Sequence, residues 1–93
     1  MHKTETILKA LGDPTRLQIV KFLRGGEKCA CEIVPHTNKS QPNVSLHLKV
    51  LKNAGILEER RDGQKIFYKI KYEKALRIID IVEGKNAGKM VRD

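Results

Sequence analysis

Cysteine is scarce in this chain: two residues, Cys29 and Cys31, among 93. A disulfide framework is thereby excluded. Two sulfurs one residue apart read as thiols or metal ligands rather than a structural bridge, because closing so short a ring strains it. Acidic side chains are also in deficit, 11 against 19 Lys and Arg, leaving a net charge of +8. No apolar run approaches the roughly 20 residues that span a bilayer, and the N-terminus lacks the apolar stretch of a secretion signal. A cytoplasmic location with no membrane partner is expected. Paired acid/base groups, a nucleophile motif and a phosphate-cradling loop are all missing, which argues against an enzyme. There is no internal repeat or low-complexity tract. The length allows one domain, 1–93, with Gly84 to Asp93 expected to fray, and so small a core gains from burial against a second copy.

What is present is a run of helix signals. Thr4 to Leu11 has Ile7, Leu8 and Leu11 on one side. Asp13 caps a second helix opened by Pro14, whose Leu17, Ile19, Val20, Phe22 and Leu23 belong to a core, and Gly25-Gly26 closes it. Glu27 to Asn38 is shorter and less regular, because Pro35 cannot donate to the carbonyl of Cys31 and its ring crowds it; a helix starting near Glu32 is expected there, then a turn at Asn38-Lys39. Ser40 caps the next helix. In it Val44, Leu48 and Leu51 form one apolar face, and Gly55 supplies the left-handed residue that ends it. The opposite face carries Pro42, Ser45, Leu46, Lys49 and Asn53. After it come two β-type runs, Ile56 to Arg61 and Gln64 to Lys71, around an Asp62-Gly63 turn signal.

A short helix, a turn, a helix with a polar outer face and a basic hairpin make a winged helix-turn-helix: mainly α with a β-hairpin, in the order α-α-α-α-β-β-α. Arg60, Arg61, Lys65, Lys69, Lys71 and Lys74 against Asp62 and Glu73 give the hairpin the footprint of a polyanion partner, double-stranded DNA. A metal carrier would not need such a wing. On the helix face, Gln41 is suited to pair with adenine, Ser45 with several base edges, and Leu46 to pack on a thymine methyl, with Ser40 and Asn43 beside them. Lys49, Arg61 and Lys65 suit phosphates, which position without specifying. His47 flanks the buried face and suits a hydrogen-bonded packing role. The last helix, Glu73 to Glu83, has an apolar stripe broader than one small domain covers. Together with Leu8 and Leu11 it points to a homodimer, hence to an inverted-repeat operator with half-sites one helical turn apart.

The segments Leu11-Gly12-Asp13-Pro14-Thr15-Arg16-Leu17, Gly26-Glu27-Lys28-Cys29-Ala30-Cys31-Glu32 and Ser40 to Lys49, in this order and spacing, resemble the ArsR/SmtB repressors. These are small winged-helix dimers that sense metals or metalloids. The resemblance implies dimerisation through the first and last helices, repression by the free dimer, and release from DNA on binding an inducer. It also implies that Cys29 and Cys31 are the two leading thiols of the family's cysteine site. The third family cysteine falls at Val34, so the missing donor is Glu32, His36, His2 from the other subunit, hydroxide or a small thiol. Two thiolates admit As(III), Sb(III), Cd(II), Zn(II), Hg(II) or Cu(I) as inducer. The family's second site needs histidines on the last helix, and none lies beyond His47. Asn43 and Leu46 depart from the usual groove-facing residues, so the operator sequence is not transferable. The alternative is a winged-helix repressor that senses thiol oxidation or has no small-molecule inducer.

Overall fold

The computed structural model describes residues 3–85. Helix α1 spans Thr4–Leu11 and α2 spans Pro14–Phe22. At the start of α2 the Asp13 carboxylate accepts the N–H groups of Thr15 (2.9 Å) and Arg16 (3.0 Å), two of the donors a helix start leaves unpaired. A 3-10 turn over Leu23–Gly25 follows, and Gly26, at φ 122°, turns the chain into a two-residue strand, β1, Lys28–Cys29. Helix α3 is Ala30–Thr37 and α4 is Gln41–Asn53. Strands β2 (Leu57–Asp62) and β3 (Lys65–Ile70) form the wing, and α5 (Lys74–Val82) ends the described fold.

Strand β1 is the departure from the expected order. It pairs antiparallel with β3, Lys28 opposite Tyr68 and Cys29 opposite Phe67, so the sheet has three strands in the order β1-β3-β2. Two residues are too few to show a period in sequence, and the pairing is long-range. Helix α3 accordingly begins at Ala30, not near Glu32. Pro35 lies inside it, and the helix is only eight residues long. Asn38, at φ 62°, takes the left-handed conformation that Asn tolerates better than most residues and ends α3.

The end of α4 is a Schellman motif. Gly55 (φ 84°) donates to the carbonyl of Lys52 (2.9 Å) and Ile56 to that of Leu51 (3.0 Å), and both apolar partners, Leu51 and Ile56, are fully buried. The Ile56 carbonyl in turn accepts the Lys71 N–H at 2.8 Å, tying the base of the wing to the helix it follows. At the wing tip, Asp62 pairs with Lys65, so the connecting residues are Gly63 and Gln64 rather than Asp62 and Gly63. Only the first of them has positive φ (66°), the type II′ pattern, which places glycine first.

The core joins Ile7, Ala10 and Leu11 of α1 to Ile19 and Val20 of α2, Ile33 of α3, Val44, Leu48 and Leu51 of α4 and Ala75, Leu76 and Ile79 of α5. Leu11 is therefore internal to the protomer and does not extend an outer face, as its position in the sequence suggested. Leu8 (52 % exposed), Ile81 (71 %) and Val82 (79 %) do stand outside.

Candidate functional site

Helix α4 is a surface rod with one buried side. Ser40 Oγ accepts the Asn43 N–H at 3.2 Å, fixing its start beside Pro42. Val44, Leu48 and Leu51 anchor it in the core, while Gln41, Pro42, Asn43, Ser45, Leu46 and Lys49 are all exposed. Leu46 is 67 % exposed, an apolar side chain with nothing of its own protomer to cover it. His47 is different. Its Nδ1 lies 3.2 Å from Arg16 Nη1 and 3.9 Å from Asp13 Oδ2, and Arg16 also donates through Nε to the Ala10 carbonyl at 2.7 Å. Arginine has only donors, so in this contact Nδ1 is the accepting atom. His47 thus ties the recognition helix to the cap of α2 and is not offered to a groove.

The basic hairpin is narrower than the sequence suggests. Arg60 makes a two-pronged pair with Glu27 (2.9 and 3.1 Å) and lies over the Phe67 ring, 4.6 Å from its centroid. Lys69 pairs with Glu58 at 3.3 Å, and Lys52 of α4 with Glu59 at 3.4 Å. Lys49, Arg61 and Lys65 are exposed and make no ion pair among the described residues. These three cations are therefore free of carboxylates, Lys49 on the exposed face of α4 and Arg61 and Lys65 near the tip of the wing.

The two cysteines sit where α3 meets that wing. Cys29, 4 % exposed, is the N-cap of α3: its Sγ accepts the Cys31 N–H at 3.1 Å, and its own N–H donates to Glu32 Oε2 at 3.0 Å, a capping box with sulfur in the usual place of oxygen. The same residue is opposite Phe67 on β3. Cys31 is exposed. The two sulfurs are joined as a disulfide, with Cα atoms 5.0 Å apart, where the sequence pointed to free thiols or ligands. The cause is local. An extended cap residue followed by the first helical turn points both Sγ atoms the same way, at a Cα separation inside the range disulfides occupy.

The other donors considered for a metal are not gathered here. Glu32 is held by the Cys29 amide, and the His36 ring stacks on Phe22 at 3.9 Å, 13° from parallel. His2 lies outside the described residues. No group of three His, Cys, Asp or Glu side chains among the described residues is placed to hold a metal ion. The sulfurs line a cleft of about 420 Å³ together with Val34, Ile66, Gln41 and Lys65. Gln41 and Lys65, both assigned to DNA from the sequence, thus share a cavity with the cysteines. Nothing in their spacing along the chain announced it.

A model of bacterial regulatory proteins of the arsR family matches residues 13–59, from the cap of α2 through α4 into the wing. The chain belongs to the ArsR family. It is 44 % identical over 88 % of its length to an uncharacterised HTH-type transcriptional regulator of Methanocaldococcus jannaschii, 93 % of which is covered. To the arsenical resistance operon repressor of Staphylococcus xylosus it is 43 % identical over 73 % of the chain and 65 % of that protein. The solution structure of a homodimeric winged helix-turn-helix DNA-binding domain from Mycobacterium bovis superposes with a TM-score of 0.78 at 32 % identity, covering 87 % of this chain and 75 % of the other. The ArsR-family chain is accordingly a DNA-binding transcriptional regulator and not an enzyme. No helix among its described residues is long and apolar enough to cross a membrane.

Proposed function

We propose that this ArsR-family regulator is a homodimeric repressor that leaves its operator when As(III), Sb(III) or another soft ion binds the reduced Cys29–Cys31 pair. One observation carries this reading: Cys29 is at once the cap of α3 and a rung of the wing strand β3. An ion drawn onto its sulfur competes with the Cys31 N–H for the same lone pairs and pulls on the backbone opposite Phe67. The wing and the helix that precedes the DNA-reading helix are thereby disturbed at one point. The coupling required is modest, about 1–3 kcal/mol for a typical allosteric pair.

In the DNA-bound state Gln41 and Ser45, with Ser40 and Asn43, meet base edges, Leu46 packs on a thymine methyl, and Lys49, Arg61 and Lys65 hold phosphates. The exposed Leu8, Ile81 and Val82 of α1 and α5 are the surface for the second subunit. A two-fold pair sets its recognition helices about 34–36 Å apart, so the operator is an inverted repeat. Lys65→Ala then weakens every DNA sequence alike and lowers the salt slope by about one unit, whereas Gln41→Ala relaxes preference at one base pair.

The deciding experiment is operator binding by wild type and by Cys29→Ser/Cys31→Ser, titrated with arsenite, antimonite, Cd(II), Zn(II) and peroxide. Wild type responds to at least one soft ion and the double variant to none. An identical response of both proteins to every addition removes the cysteines from sensing. The disulfide supports a second reading, release by thiol oxidation. That reading is distinguished by peroxide acting without any metal and by reversal with a thiol reductant.

A further inference from the structure

The most outward line of α4 is apolar, although the exposed face as a whole is mixed. With Val44, Leu48 and Leu51 buried, a turn of about 100° per residue puts Pro42, Leu46 and Val50 within roughly 55° of the direction pointing straight away from the core. All three are exposed, Leu46 by 67 % and Val50 by 39 %, and at intervals of four residues they form one continuous ridge. It runs for about 12 Å, the length of some three base steps of B-DNA. Lys49 and Asn53 border it, both exposed. The ridge is narrower than the apolar stripe of about 100° or more with which a helix packs on protein. Its surroundings suit a polyanion: α4 carries no carboxylate, and Lys49 makes no ion pair among the described residues.

We propose that Leu46 and Val50 together select the operator by packing on the 5-methyl groups of two thymines in each half-site. This inference rests on the reading of α4 as the helix that enters the major groove. The thymine methyl is the one apolar group that a base edge presents there. Set against guanine, cytosine or adenine at the same places, the two side chains would cover hydrogen-bonding edges and leave them without partners, which costs more than a missing contact. Selection therefore comes from what the ridge fails to satisfy on other bases as well as from what it gains on the methyls. Val50, one turn beyond Leu46, becomes a second specificity residue. Contact with a methyl releases no counterion, so this part of the affinity is independent of salt, unlike the part held by Lys49, Arg61 and Lys65.

The test uses the full chain and the duplex it selects from a random pool. Uracil, which keeps every hydrogen-bonding atom of thymine and lacks only the methyl, replaces thymine at one position at a time, symmetrically in both half-sites. Binding is followed by fluorescence anisotropy at two salt concentrations. Two thymine positions should be sensitive, each losing about fourfold per half-site and about fifteenfold for the dimer's two, with the same ratio at both salts. Leu46→Ala should bind the thymine and uracil duplexes equally at one of these positions, and Val50→Ala at the other. Both side chains are exposed, so neither change opens the core. A uracil penalty that is the same in wild type and in both variants reports the shape of the DNA and overturns the inference. So does a penalty linked to Leu46 alone, a half-site without thymine, or a Leu46→Ala/Val50→Ala protein that changes its sedimentation coefficient while keeping the penalties, since the ridge then meets protein. All of these outcomes leave α4 as the reading helix. Failure to select any sequence from the pool overturns that reading as well.

Discussion

The two helices of the helix-turn-helix start alike and with different atoms. At α4 the Ser40 hydroxyl accepts the Asn43 N–H at 3.2 Å; at α3 the Cys29 sulfur accepts the Cys31 N–H at 3.1 Å. Oxygen is the better acceptor, but a hydroxyl is a poor ligand for soft ions and no redox centre. Sulfur is a weak acceptor but a strong ligand for soft ions and a redox centre. The reading helix is thus held by a cap that nothing in the cell titrates, and the helix before it by one whose partner can be exchanged. Regulation is placed one element away from recognition, so the surface that meets DNA need not carry the reactive group.

That contrast can be broken or sharpened by mutation. The largest effect belongs to neither cap: Leu51→Ala, fully buried at the end of α4, should cost about 2–5 kcal/mol, read as a lowered urea midpoint. If a cap variant lost as much, the caps would be foundations rather than adjustments. Gly55→Ala forces a Cβ into a φ of 84° and should cost about 1–2 kcal/mol, with a further loss of operator affinity because the wing strand β2 starts two residues on. Ser40→Ala should cost about 1 kcal/mol and leave the inducer response intact. Cys29→Ser should change stability by less than about 1 kcal/mol, since serine is itself a good cap, and yet abolish the response. A Cys29→Ser protein that still answers arsenite would erase the distinction.

The third cap separates the two by pH. The Arg16 N–H, with the Arg16 charge and the Thr15 N–H adding to it, holds the Asp13 carboxyl below the usual carboxylate range. A lowered folded value means that its contribution is present at neutral pH and disappears as acid takes the solution through that value. Urea midpoints measured on the acid side should therefore fall less steeply for Asp13→Asn than for wild type. Ser40 and its helix start should show no such dependence.

Local chemistry was the legible part. Asp13-Pro14, Ser40 and Gly55 mark helix ends by the hydrogen bonds they make with immediate neighbours, and Val44, Leu48 and Leu51 mark a buried face by spacing alone. The hairpin followed from its two β-type runs, although its turn slid by one residue to Gly63-Gln64. What the sequence concealed depends on residues far apart in the chain. Strand β1 exists only because β3 lies beside it, and Arg60 is neutral in effect only because Glu27 comes within 2.9 Å. The site was half visible for the same reason. Cys29 and Cys31 stand out by their spacing, but their closeness to Gln41 and Lys65 arises only when α4 and the wing pack beside the start of α3.

Strand β1 reaches only Phe67 and Tyr68, leaving the outer edge of β3 at Lys65 and Ile66 uncovered. Mechanically the outer half of the wing is a cantilever, clamped at mid-strand by two residues and free at its tip. At about 3.4 Å per residue, Lys65 sits roughly 7 Å beyond the clamp. A rotation of some 10° at Cys29 would swing it by about 1 Å, which is enough to spoil a charge-assisted hydrogen bond to a phosphate. A chemical event on one sulfur is in this way turned into a displacement at the end of a beam.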